Sequence, residues 1–466
     1  MSDERTAGGS SRRTVALASS VAGAVVVALD GTVLTVAQPA LQHDLGASLT
    51  QVQWTSTGYL VAVAALLVFA GRLGDRYGHR RLFVTGMLGF GAASAGAALA
   101  PGAGSLIGLR VAQGVCGALL QPATLGMLRA AFPPERLAVP IAVRTAAIAL
   151  AAAAGPVLGG ALATALGWRA VFLLNVGPCL VFGLLATALP RPGRPRATAR
   201  VPLGLPGALL LAAALGGAVH TLAGLPHLSR PGLAVTVLAG AAFVRHERRA
   251  AHPLLPKEVI GSTAVASALG MLVAASAALS GTLFVTTYVL QDGLGLTPLA
   301  TALRALPLAA LMVAAAPVCP VWLRRYGARR TAVAATAVLA LGVLVLAGTT
   351  ATPAVCGGFA LVGAGFGTAM VAATQVIVRT AAVASAGVAG GLQQTAMNAG
   401  PALGVAAAAT LRESGGPAGL PLVVLGGVAA AGALAGRALP GRAATAGGDP
   451  SGLDPSGHEP AAAARR

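Results

Sequence analysis

Two residues of opposite charge, Asp30 and Arg110, lie inside long apolar stretches of the chain. Of the thirteen acidic residues, Asp30 is the one that falls well inside an apolar run. Desolvation favours the protonated form of a carboxyl group unless a nearby cation offsets it, so an acid placed here suits reversible proton uptake. Arginine keeps its charge in proteins, so the role of Arg110 must be electrostatic or that of a hydrogen-bond donor.

The role of Arg110 beside Asp30 has two possible interpretations. In one, Arg110 approaches and leaves Asp30 as the protein changes shape, so that the proton affinity of the carboxylate depends on conformation. In the other, Arg110 is a fixed structural partner of Asp30 or of backbone carbonyl groups. His220, in a different apolar run, either titrates near neutrality or packs as a buried side chain. The sequence leaves both questions open.

The composition shows which elements carry these residues. Hydrophobic residues make up 56% of the chain and charged residues 10%, against about 25% charged residues in a soluble domain. A helix that crosses a bilayer needs about 20 mostly apolar residues, and such windows recur along the whole sequence. They lie at about 14–34, 54–70, 82–100, 106–127, 138–162, 171–189, 205–225, 233–244, 263–290, 299–321, 331–348, 353–378, 388–410 and 420–439. We therefore predict an all-α polytopic membrane protein of about fourteen spans.

The arginines predict the orientation of these spans. Cytoplasmic loops collect Lys and Arg, and here alternate loops do so. These clusters lie at residues 12–13, 72–81, 129–136, 191–200, 245–257, 324–330, 379 and 437–442. Both termini are then expected on the cytoplasmic side of the plasma membrane. The net charge of +19 is spread in small groups, which argues against a nucleic-acid partner.

The chain carries a weak internal repeat. The stretch GRLGDRYGHRR, residues 71–81, is partly repeated as PVWLRRYGARR, residues 320–330, each after the second span of a six-span block. This predicts two parallel halves, residues 14–190 and 261–440, with a two-helix insert between them at residues 191–260. A cytoplasmic tail, residues 1–13, precedes them, and we expect residues 441–466 to be a disordered cytoplasmic tail.

The first of these stretches resembles the G-x-L-x-D-R-x-G-R signature of the major facilitator superfamily. Its residues are Gly71, Gly74, Asp75, Arg76, Gly78 and Arg80, together with Leu73. The resemblance implies a loop on the cytoplasmic side that acts as a gate or latch between the halves. In the second copy Pro320 and Arg324 replace the glycine and the aspartate, which puts a latch role there in doubt.

Further motifs are similar to those of the fourteen-span drug:proton antiporters of this superfamily. They include LDGTVLTVAQPAL from Leu29, QWTSTGYL with Trp54 and Tyr59, LRVAQG with Arg110 and Gln113, and GPVLGG with Gly155, Pro156, Gly159 and Gly160. The resemblance implies a proton-coupling role for Asp30 and Arg110 and an antiporter motif in the fifth span. Residue type alone predicts a kinked and closely packed fifth helix.

The resemblance implies export of small amphipathic drug-like or antibiotic molecules in exchange for protons. Cavity residues are expected to be Trp54, Tyr59, Gln113, Gln375, Gln393, Gln394 and Asn398, although the amides could equally bond across helices. A metabolite uniporter or symporter, or a non-transporting sensor, is the alternative. We expect no cofactor besides the proton gradient, no metal and no enzymatic activity, because no nucleophile–base pair or metal cluster is present. The expected partners are the substrate, protons and the bilayer, and we expect a monomer.

Overall fold

The structure is a computed structural model that describes residues 2–133, 136–189, 203–223, 230–250, 253, 262–380, 386–414, 417 and 419–439. Long helices fill these ranges. They are α1 (Ser2–Leu45), α2 (Leu49–Tyr77), α3 (His79–Ala98), α4 (Ala103–Ala131), α5 (Ala138–Leu166), α6 (Arg169–Leu185), α7 (Leu205–Ala223), α8 (Arg230–Arg249), α9 (Thr263–Tyr288), α10 (Pro298–Gly348), α11 (Thr352–Thr380), α12 (Ala386–Glu413) and α13 (Leu420–Arg437).

Helix α10 is two spans joined at a bend. Gly327 has a φ of 81°, a left-handed value that glycine adopts without steric cost, and it divides α10 into a first and a second arm. Counting the two arms, the described residues form fourteen long helical segments, one for each predicted apolar window. Eleven described helices satisfy strict limits of length and hydropathy for crossing a membrane. The all-α polytopic fold class is confirmed.

Gly78 plays the same part in the first half as Gly327 plays in the second. It has a φ of 94° and is the single residue between α2 and α3. Both glycines follow an Arg-Tyr pair, so the repeated letters of the sequence correspond to the same sharp turn. The predicted loop after the second span is therefore wrong in form: Gly71 to Arg76 belong to the last turns of α2, and Arg80 lies in the first turn of α3.

The helices are longer than the apolar windows. Each window ends at the first charged residues, where hydropathy falls, but the helical backbone continues through those residues. Helix α2 starts at a capping box in which Ser48 and Gln51 satisfy each other's backbone N–H groups. Helix α1 begins at Ser2, so the predicted N-terminal tail is helical. The predicted C-terminal tail, residues 441–466, lies outside the described residues.

The helices pack as two groups with an insert at one side. Helices α1 to α6 pack among themselves, and so do α9 to α13. The most extensive contacts between the groups are of α2 with α12 and of α5 with α10, and α1 also contacts α9 and α10. Helix α7 packs against its partner α8 and also against both α2 and α12, so the insert covers the line where the two halves meet. We call the end of the molecule with Gly78 and Gly327 the inner end and the opposite end the outer end.

Candidate transport site

Asp30 lies at the centre of a buried polar network between α1, α4 and α6. Its side chain accepts a hydrogen bond from Arg110 Nη1 at 2.7 Å, from Gln113 Nε2 at 3.0 Å and from Asn175 Nδ2 at 2.9 Å. Asp30 is 4% exposed and Arg110 is 2% exposed. A charge at this depth is costly unless it is paired, and here the pair is direct. The two residues singled out by the sequence are therefore in contact.

Arg110 is held on several sides at once. Its Nε donates to the backbone oxygen of Thr55 at 2.9 Å, and its Nη1 also donates to Gln113 Oε1 at 2.7 Å. The guanidinium lies 4.4 Å from the centre of the Tyr59 ring and 5.8 Å from that of Phe172. Arg110 therefore contacts an acid and a backbone carbonyl together, as the fixed-partner interpretation expects, and its movement away from Asp30 stays a prediction.

Sequence reasoning missed two members of the network, Asn175 and Ser94. Asn175 of α6 donates to Asp30, and Ser94 of α3 accepts a hydrogen bond from Gln113 Nε2 at 2.7 Å. Both are buried. In the sequence, Asn175 is a single amide in the apolar run AVFLLNVGP, residues 170–178. Its position in the chain does not show which side chain it will bond to.

A cavity of about 210 Å³ lies between the two halves. The residues next to Asp30 in the chain, Gly31 and Thr32, line it, so the helix that carries the buried acid also forms the cavity wall. Polar atoms reach it from Gln38 and Ser56, which are hydrogen-bonded to each other at 2.7 Å. The rest of the wall is mostly apolar and is supplied by α2, α5, α9, the first arm of α10, α11 and α12.

The seven predicted cavity residues do not line this cavity. Gln113 and Tyr59 belong to the surroundings of Arg110, and Trp54 packs in an apolar cluster with Val219 of α7 and with α12. The remaining four are the amides of α11 and α12, namely Gln375, Gln393, Gln394 and Asn398. Their role in substrate binding stays a prediction.

Two of these amides bond to nearby helix groups. Gln393 donates to Thr374 Oγ1 at 2.6 Å, and Asn398 donates to the backbone oxygen of Gln394 at 2.7 Å. Residues of the cavity wall such as Thr35 and Thr287 had no sequence signal, because a threonine in an apolar helix commonly bonds to its own backbone.

The glycines of α5 set the distance between helices. A methyl group on Gly155 would overlap the Thr32 side chain, and one on Gly159 would overlap the backbone oxygen of Val33, both on α1. One on Gly160 would lie 2.8 Å from the backbone oxygen of Pro298 on α10. The predicted close packing is confirmed, and Pro156, between these glycines, lines the cavity.

At the inner end, Asp75 and His79 join α2 to α3. Asp75 is largely exposed, and its Oδ1 lies 3.1 Å from His79 Nε2. The His79 ring packs between Gly74 and Gly126, where any added side-chain carbon would collide with it. Arg80 extends the contact to the 3-10 turn that follows α6, where its Nε donates to the backbone oxygen of Ala186 at 2.9 Å.

At the outer end, hydrogen bonds tie the two halves together. Thr50 of α2 donates its backbone N–H and its hydroxyl to the carboxylate of Glu413 on α12, at 3.0–3.1 Å. Gln291, in the π-helical turn after α9, donates to the backbone oxygen of Val36 at 2.9 Å. His43 Nε2 lies 3.4 Å from Asp292 Oδ1. These contacts join the two halves at the outer end of the molecule.

A sequence model of the Major Facilitator Superfamily matches residues 21–405 and 269–455 of this chain. The chain belongs to the Major Facilitator Superfamily. The solved structure of a bacterial homologue of the human lysosomal transporter Spinster, in an inward-facing and unoccupied conformation, has the same fold. It aligns with a TM-score of 0.61 at 16% identity over 92% of this chain and 93% of that one.

Curated relatives are named for resistance and export. The tetracenomycin C resistance and export protein of Streptomyces glaucescens is 38% identical over 84% of this chain and 74% of its own length. The multidrug efflux pump LfrA of Mycolicibacterium smegmatis is 32% identical over 86% and 81%. The lincomycin resistance protein of Streptomyces lincolnensis is 33% identical over 82% and 81%. This superfamily member is therefore a polytopic membrane transport protein.

Proposed function

We propose that this protein exports small amphipathic drug-like or antibiotic molecules across the plasma membrane of a bacterium in exchange for protons. It works as a monomer with both termini in the cytoplasm. The observation that carries the proposal is the buried Asp30 carboxylate, which is hydrogen-bonded to three side chains. Asp30 lies on α1, and α1 is one of the helices that line the cavity.

The network provides a reason for coupling. Three donors surround the Asp30 carboxylate in this structure, and one of them is the cation Arg110. Arg110 is also tied to α2 through the Thr55 carbonyl, so a shift of α1 against α2 and α4 within the first half would separate it from Asp30. We infer that such a shift, as the protein changes between its two states, lets Asp30 take up and release a proton.

The cavity supports substrates that are mainly apolar. Its wall combines leucine, alanine, phenylalanine and methionine side chains with a few hydroxyl and amide groups, as in pockets for drug-like molecules. No acidic side chain lines this cavity, which disfavours dicationic substrates. The printed names of the relatives, which refer to antibiotics and to drug efflux, support the same substrate class.

The test is transport in inverted membrane vesicles that contain the protein. A panel of apolar antibiotics and fluorescent drug analogues is added with and without an imposed proton gradient, and empty vesicles serve as the control. We expect gradient-dependent uptake of several compounds. Uptake that is driven by the substrate gradient alone would indicate a uniporter, and export of protons together with substrate would indicate a symporter.

A further inference from the structure

We propose that α10 binds an anionic phospholipid at the bend between its two arms, which lies at the inner end of the molecule. The phosphate lies at the arginines of the PVWLRRYGARR stretch, and one acyl chain lies in an apolar groove beside them. This assigns a role to the second copy of the repeated stretch, in which the aspartate of the first copy is replaced by Arg324. The inference stands apart from proton coupling and concerns a different half of the molecule.

The groove has a volume of about 430 Å³ and is formed by both arms of α10 together with α11. Its mouth has two aromatic side chains from the first arm and one basic side chain from the second arm, and its depth is apolar. The lining residues are Trp322, Tyr326, Arg330, Thr331, Ala334 and Val338, with Ala364 and Gly365 of α11 among the rest. A methyl group on Gly365 would collide with the backbone of the second arm, so this glycine sets the floor of the groove.

The arginines at its mouth lack an anion. Arg324, Arg325, Arg329 and Arg330 are exposed. Within the part of the chain that the structure describes, none of the four forms an ion pair or a side-chain hydrogen bond, and Arg325 lies over the Tyr326 ring at 5.5 Å. The sequence has no acidic residue between Asp292 and Glu413 that could serve this end of the second half.

The first copy of the stretch has more of its charges satisfied inside the protein. There Arg80 donates to the backbone oxygen of Ala186, and Arg72 donates to that of Pro253 at 2.6 Å. Asp75 supplies a carboxylate that contacts His79, and Arg76 and Arg81 are exposed. The second copy presents unpaired guanidinium groups at the level where the predicted cytoplasmic leaflet ends.

The neighbouring side chains favour a lipid over a free anion. Trp322 is 43% exposed and Tyr326 is 44% exposed, and such amphipathic rings prefer the level of lipid headgroups. A basic cluster next to an apolar groove between spans suits an anionic headgroup with its acyl chain. Inorganic phosphate would leave the apolar groove unfilled, so we expect it not to compete.

The experiment uses Trp322 as the reporter. The full-length protein and a Trp322→Phe variant are reconstituted with phosphatidylcholine that contains a small fraction of lipid brominated on its acyl chains. The brominated lipid is either phosphatidylglycerol or phosphatidylcholine, and the difference between the two proteins gives the quenching of Trp322. We expect brominated phosphatidylglycerol to quench Trp322 several-fold more strongly at equal mole fraction.

Charge and groove variants test the two parts of the site. Replacing Arg329 and Arg330 by glutamine should lower the preference for phosphatidylglycerol by roughly fivefold per arginine, whereas lysine at both positions should retain it. Arg81→Gln, at the exposed start of α3, is the matched control and should have no effect. Ala334→Leu, which fills the groove without disturbing the arginines, should reduce quenching by both lipids.

Equal quenching of Trp322 by the two brominated lipids in the unmodified protein would overturn the proposal. So would an unchanged preference in the double glutamine variant when that variant is monodisperse. Displacement of the lipid by millimolar inorganic phosphate at constant ionic strength would identify a simple anion site instead. None of these outcomes depends on whether the protein exchanges substrate for protons.

Discussion

Asn175 is one of two neutral donors to Asp30, and its removal should weaken transport without changing any charge. A hydrogen bond to a charged group contributes about 1.5–3 kcal/mol, and about 1.36 kcal/mol in an activation free energy corresponds to a tenfold change in rate. Asn175→Leu should therefore lower the transport rate by roughly tenfold at unchanged abundance in the membrane, because the buried carboxylate loses one of its three donors.

The measurement is the initial transport rate in proteoliposomes at a fixed proton gradient. Ser94→Ala is the matched control, because Ser94 contacts Gln113 and not Asp30, and its rate should stay close to that of the unmodified protein. An unchanged rate for Asn175→Leu would mean that this amide only supports packing.

Asp75 should affect transport without affecting folding. It is largely exposed and contacts His79, so its removal leaves no cavity in the apolar core. We expect Asp75→Asn to lower the transport rate by an order of magnitude or more at unchanged abundance in the membrane, because the residue acts on switching between states. Asp75→Glu is the matched charge-preserving variant. Normal transport by Asp75→Asn would show that the charged stretch at residues 71–81 determines only the orientation of the helices in the membrane.

At the scale of helices, the glycines of α5 should be intolerant of any side chain. Gly159→Ala would place a methyl group against the backbone of Val33, so α5 and α1 must separate. Overpacking of this kind typically costs about 1–3 kcal/mol. Gly177→Ala on α6, where nothing lies within 4 Å of the added carbon, is the control and should be neutral or slightly stabilising.

Thermal unfolding of the purified variants in detergent checks this prediction. The four cysteines are all free and two of them are buried, so a thiol-reactive fluorophore reports the transition. An unfolding temperature of Gly159→Ala equal to that of Gly177→Ala would contradict the assigned packing.

The helices themselves could be predicted because each of the fourteen apolar windows is a local property of the chain. Their ends could not be, because α2 continues through Arg72, Asp75 and Arg76, which hydropathy assigns to a loop. The Asp30–Arg110 pair was found through the rarity of charge in apolar runs. Asn175 and Ser94 were missed because an uncharged side chain gains its role only when α3, α4 and α6 bring it to the pair.

For the whole molecule, the number of insert helices that cross the membrane determines the orientation of the second half. Helix α8 has a less apolar sequence than its neighbours and is not among the eleven spans that meet strict limits. The alternating arginines nevertheless predict that it crosses. Reporter fusions after Arg200 and after Lys257 should both be cytoplasmic. Reporters on opposite sides of the membrane would show that only one of the two insert helices crosses.

The central claim is that Asp30 couples substrate movement to proton movement. The most direct measurement is substrate-induced proton release from purified protein in proteoliposomes, compared between the unmodified chain and Asp30→Asn. An amide resembles the protonated acid but cannot exchange its proton, so we predict that Asp30→Asn releases no protons and loses gradient-driven export, while substrate binding persists. Undiminished proton release by Asp30→Asn would contradict the account.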